Sequence, residues 1–147
     1  MNRFLIAVVS VVFAGCNPAG KLNKASLQHI PATILGDFRD DYDIHYSISD
    51  SVWVQQPNVR YRLLKYDSAG RYFIARNAMN NPSEGGLYSR IDIMFFTGME
   101  PWTWGFCLTA YDAKSFEEAV AVAAADRDNP KKGCGGFPFS RMKKISN

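Results

Sequence analysis

The chain has 147 residues, 47% of them hydrophobic and 21% charged, with 17 Lys and Arg against 14 Asp and Glu. That length suits one compact domain and not two. The formal net charge is +3, and the basic residues are scattered except at Lys131-Lys132 and Lys143-Lys144; a nucleic-acid reader needs a basic stripe, so that class of partner is excluded.

Met1-Asn2-Arg3 gives a short basic start, and Phe4 to Ala14 is apolar apart from Ser10. At about 1.5 Å per residue this segment covers roughly half of a ~30 Å hydrocarbon core, too little to span it. A basic tip, a short apolar middle and a small-residue end predict a secretory signal peptide over 1–15. Phe13-Ala14-Gly15-Cys16 resembles the lipobox of bacterial lipoproteins, with Phe13 where Leu is usual. The resemblance implies a diacylglyceryl group on the Cys16 thiol, cleavage before it, and acylation (typically by palmitate) of the freed amine. Two or three acyl chains make release from a bilayer negligible. Asn17 rather than Asp after the cysteine implies the outer membrane, with the domain facing the periplasm. The membrane, reached through the N-terminal lipid, is thus an expected partner. Residues 16–34 mix Pro, Gly, Lys, Asn and Ser with little periodicity and read as a tether, with His29 inside it.

Residues 35–147 are expected to form a single β-rich domain. Cys107 and Cys134 are the two cysteines left after Cys16. Export puts them in an oxidising compartment, where an even pair reads as a disulfide, stabilising by about 3–4 kcal/mol on the chain-entropy model. A reactive thiol or a metal ligand is the alternative, without a nearby His or a C-x-x-C spacing to support it.

From Gly36 the period is two. In "DDYDIHYSIS", Tyr42, Ile44, Tyr46 and Ile48 alternate with Asp41, Asp43, His45, Ser47 and Ser49, predicting one half-buried strand. Asp50-Ser51 turns the chain into Val52-Trp53-Val54-Gln55. "VRYRLLKYDSAGRYFIARNAM" reads as a hairpin, with Asp67-Ser68-Ala69-Gly70 as a type I turn closed by a left-handed glycine. "NNPSEGG" is a loop and Leu87 to Phe96 a further strand. "PWTWGFCLTAY" places Trp102, Trp104, Phe106, Leu108 and Ala110 on one face and Cys107 on the other. Ser115-Phe116-Glu117-Glu118 is a capping box, opening a helix over about 115–127 that ends before Asn129-Pro130. A disulfide-pinned tail follows.

Six or seven short strands and one late helix predict a mainly β fold: a small antiparallel β-barrel or strongly bent sheet with one C-terminal helix packed outside. Gly36-Asp37-Phe38 opens the first strand roughly where lipocalins carry G-x-W, and a helix after the last core strand with a pinned tail is also similar to the calycins, the lipocalin and avidin group. Phe38 in place of Trp departs from that pattern.

Three functions are compatible with these residues. In the first, the barrel holds an apolar or amphipathic small molecule against Trp102, Trp104 and Phe106, with Trp53 as a further wall residue. In the second, the core is filled and the chain contacts an envelope protein, through a tail in which Phe137 and Phe139 flank Pro138. The third is a metal-dependent enzyme using Asp41, Asp43 and His45 on one strand face. Alternate side chains on one strand diverge, so no residue is assigned as a metal ligand. No catalytic motif is present, no catalytic residue is assigned and no cofactor is expected. Arg90 and Asp92 share a strand face, as an ion pair or as polar handles in a pocket.

Overall fold

Period-two patterning resolves into eight strands in a computed structural model that describes residues 29–145. The expected leader at 1–15, the anchor Cys16 and most of the expected tether lie outside the described residues. The strands are β1 Gly36–Asp40, β2 His45–Ile48, β3 Val52–Gln55, β4 Val59–Asp67, β5 Tyr72–Asn77, β6 Tyr88–Phe95, β7 Trp102–Ala113 and β8 Ser140–Lys144. Each pairs antiparallel with the next, and β8 returns to β1, closing a barrel. The helix α1, Phe116–Ala121, lies between β7 and β8 in sequence and packs outside against β5, β6 and β7.

Inward residues alternate along each strand. Phe38, Tyr46, Ile48, Trp53, Leu63, Phe73, Ile91, Ile93, Trp104 and Met142 form one buried cluster. Ile30 and Ile34, inside the stretch read as tether, belong to the same cluster; a short 3-10 turn at Ala32–Ile34 brings them there. Bulges interrupt the alternation where the register shifts, at Leu63/Lys65 on β4 and between Trp102 and Trp104 on β7.

Four local expectations are corrected. "DDYDIHYSIS" is not one strand: β1 stops at Asp40 and β2 starts at His45. The buried Asp40 carboxylate makes the turn, its Oδ1 accepting from the Tyr42 and Ile44 amides, each at 2.9 Å. Gly70 does not carry the left-handed conformation of the β4–β5 turn; Arg71 does, with φ 52°. Gly70 is required for close approach instead, since a Cβ there would come within 2.6 Å of the Tyr72 ring. The strand count is eight rather than six or seven, because β8 forms inside the segment read as an irregular tail. The helix is shorter than 115–127. Ser115 caps it as expected, accepting from the Glu118 amide at 3.1 Å, while Glu118 reaches back to the Lys114 amide at 3.0 Å. It stops at Val122 because the following residues are held elsewhere: Ala125 is buried against Cys107 and Phe139, and Arg127 is anchored through its guanidinium. Tertiary anchoring overrides the helix propensity of the alanine run.

Cys107 points outward from β7 and is bonded to Cys134, 27 positions further along the sequence, with Cα atoms 5.4 Å apart. The bond pins the segment that crosses the outer wall between α1 and β8.

Candidate functional site

An eight-stranded barrel is just wide enough for side chains to fill its interior, and here aromatic rings do so. Trp53 stands edge-on to Trp104, Phe106, Phe73 and Tyr46 at centroid distances of 5.8, 5.1, 6.2 and 6.2 Å. Phe38 meets Trp104 the same way at 5.2 Å. Trp53 and Trp104 are 1% and 0% exposed. The sequence-predicted wall residues Trp53, Trp104 and Phe106 are therefore brought together, as mutually packed rings. The indole N–H of Trp104 finds no acceptor among the described residues.

Trp102 is not with them. The bulge lets two residues of β7 span one of β8, so Trp102 pairs with Lys143 and Trp104 with Met142. Trp102 thereby turns to the outer wall, where Arg141 and Lys143 lie over its ring at 5.1 and 5.3 Å. Strict alternation had put it inside.

Asp41, Asp43 and His45 share no strand face. Asp41 accepts from Arg141 Nε at 2.9 Å. Asp43, in the β1–β2 turn at φ 67°, pairs with Arg39 at 2.9 Å, and His45 is exposed at the start of β2. Among the described residues no group of three or more His, Cys, Asp or Glu is placed to hold a metal ion. Tyr46, whose hydroxyl donates to Asp40 Oδ2 at 3.0 Å, is held well above the ordinary phenol range by burial and then by the Asp40 charge.

Arg90 and Asp92 form a buried pair on the outer wall, with Arg90 Nε 3.0 Å from Asp92 Oδ2. Asp92 also accepts from Arg127 Nη2 at 2.9 Å and from the Thr109 hydroxyl. Arg90 donates on to the Val120 carbonyl at 3.0 Å and stacks over Tyr72 at 3.9 Å. Arg127 ties in the carbonyls of Ile93, Gly70 and Arg71 at 2.8, 2.8 and 2.9 Å. Every charge in this cluster is spent on fixing α1 and the following segment to the barrel.

Two further clefts bear on function; the first was not foreseen from the sequence, and the second takes in Pro138 and Phe139 of the tail expected to make a contact. The first, about 350 Å³, opens at one end of the barrel between β3, β4, β5, β7 and the β5–β6 loop. Val59, Tyr61 and Leu108 line it from the core side, Asn81, Pro82, Ser83 and Glu84 from the loop, and Tyr111 from β7. The loop is fixed by Asn81, which exchanges two hydrogen bonds at 2.9 Å with the Arg60 backbone, and by buried Asn77, which donates to the Glu84 and Tyr111 carbonyls. The second cleft, about 380 Å³, is a groove on the outer wall lined by Phe96, Met99, Pro130, Pro138 and Phe139, with Lys131, Arg141 and Asp41 at its edges. Phe137 stands beside Pro138, 73% exposed, whereas Phe139 is 1% exposed, so only one of the two tail phenylalanines is presented. Both clefts join residues from distant segments, and "NNPSEGG" carried no signal beyond that of a loop. No family model matches the chain, and no match was found among curated proteins or solved structures.

Proposed function

We propose that this chain is a lipoprotein of the bacterial cell envelope, tied to the outer membrane through acyl chains on Cys16, whose barrel faces the periplasm and acts by contact with another envelope protein. The observation that favours protein contact over a ligand held inside is the ring packing of the interior. A small molecule between Trp53, Trp104 and Phe106 would have to displace side chains already in edge-to-face contact. Each such contact contributes about 0.5–1.5 kcal/mol beyond area burial. The Cys107–Cys134 bond fits an oxidising compartment, and the closed antiparallel barrel is compatible with the calycin-like architecture. The contact surface in this reading is the outer groove with Phe137 at its edge, an apolar patch ringed by charged residues.

Two experiments test it. Mass spectrometry of the purified native N-terminal peptide should find a triacylated Cys16; an unmodified first residue in a soluble fraction would end the anchoring half. A photo-crosslinking residue at position 137, introduced in living cells, should give a discrete protein adduct. The same residue at exposed Arg62 on β4, across the barrel from β8, should give none. Equal labelling from both positions, or from neither, removes the contact half.

A further inference from the structure

The end of the barrel between β4 and the β5–β6 loop is built differently from its filled middle. The floor of the cleft is apolar, since Val59 and Leu108 pack against the main core cluster. Two polar groups are left over on its walls. Tyr61 is 8% exposed, and no hydrogen bond joins its hydroxyl to a described residue, so that oxygen is open to the solvent of the cleft. Glu84 forms no ion pair among the described residues, and its carboxylate accepts no hydrogen bond from them. The nearby basic residue Arg76 is engaged elsewhere, donating to the Gly86 carbonyl and lying over the Tyr88 ring. Glu84 also holds a left-handed backbone at φ 50°, an arrangement unfavourable for a residue with a Cβ that persists only where the surroundings impose it. Those surroundings are the Asn77 amide on the Glu84 carbonyl at 3.0 Å and the Leu87 amide on the same oxygen at 3.2 Å. The pinned loop thus brings a half-buried carboxylate without an ion-pair partner among the described residues to the cleft that Tyr61 also lines. Both residues line the same cleft; burial, and then the Glu84 charge, raise the Tyr61 phenol above its ordinary range.

We propose that this cleft binds a small primary alkylammonium ion, its charged head between the Glu84 carboxylate and the Tyr61 hydroxyl and its apolar body over Val59 and Leu108. The chemistry selects this class. One carboxylate matches one positive charge and repels anions. An ammonium N–H supplies the donor that the carboxylate and the phenol oxygen both lack, and its remaining hydrogens can face the open side. Tyr61 and Tyr111 offer ring surface that favours a cation. A divalent metal is disfavoured because the Asn77 and Asn81 side chains already spend their amides on the backbone, leaving too few oxygens. The site is separate from the outer groove, so its test does not depend on the proposed protein contact.

The test is an NMR titration of the full-length chain in maltoside micelles with n-butylammonium, n-butanol and n-butanoate as probes. Saturable shifts at Tyr61 and Leu108 are expected with n-butylammonium, in the millimolar range suited to so small a ligand. The neutral and anionic probes should bind at least about tenfold more weakly, and Glu84→Gln should weaken n-butylammonium by about the same factor. Tyr61→Phe keeps the ring and should weaken it severalfold, serving as the deciding variant if Glu84→Gln perturbs the loop spectrum. Butanoate binding as well as the amine, undiminished binding in a folded variant, or no saturable shift overturns the proposal.

Discussion

Asp92 closes the outer wall, because its fully buried carboxylate meets Arg90, Arg127 and Thr109 at once. Replacing one partner in such a cluster leaves buried charge without compensation, which costs about 3–5 kcal/mol. Asp92→Ala is therefore expected to lower urea stability by about that amount; a loss under about 1 kcal/mol would show that the guanidinium groups find other acceptors. Tyrosines give a second residue-scale prediction. Burial is the largest influence raising the phenols of Tyr46, Tyr61 and Tyr66. A folded-state pKa above the unfolded one means that the folded chain keeps protons the unfolded chain loses once pH exceeds about 10. The tyrosines' contribution to stability should be constant below that pH and fall above it. Tyrosinate absorbance of the folded chain should lag that of the urea-unfolded chain, and Tyr46→Phe should shrink the lag. If all seven tyrosines ionise together in the folded chain, the burial account fails.

The segment joining α1 to β8 works as a strap. Arg127 fastens its first half, the Cys107–Cys134 bond its second, and Gly133 the bend between. An added Cβ at Gly133 would lie 1.8 Å from the Asp126 carbonyl oxygen, a distance no backbone adjustment of a few tenths of an ångström relieves. Gly133→Ala is expected to destabilise by about 2 kcal/mol or more and to raise the rate at which Cys134 is reduced by dithiothreitol; unchanged reduction kinetics would place the strap's rigidity elsewhere. At this scale the limits of sequence reading are visible. The alternation of Trp104, Phe106 and Leu108 and the outward aim of Cys107 were legible because a strand has only two faces. Trp102 was misplaced because a bulge depends on the neighbouring strand, β8, which sequence reading did not identify. The helix was overextended because nothing local in "AAAD" reveals that Arg127 has carbonyl partners in the β4–β5 turn and on β6. The cleft at Tyr61 and Glu84 was invisible for the same reason: its two polar groups stand 23 positions apart and come to one cleft only after the loop is pinned through Asn77 and Asn81.

Over the whole molecule, the barrel has no free edge only because β8 lies between β1 and β7. Phe38 pairs with Lys144 and Asp40 with Met142, while Trp104 takes Met142 on the other side. Ending the chain after Phe139 removes this strand, leaves two edges unpaired and takes Met142 out of the core. That truncation should self-associate in size-exclusion chromatography; a monomeric product with native spectra would mean that the closing strand is dispensable. The ring is joined by two strands separated by almost the entire described sequence. Pairing across such a span is slow, since the loop-closure cost falls due before the contact forms. The first strand to emerge has no lasting partner on its far side until the last has arrived. A chain of this kind cannot close its wall until its final strand is available, so the last residues decide when the barrel is complete.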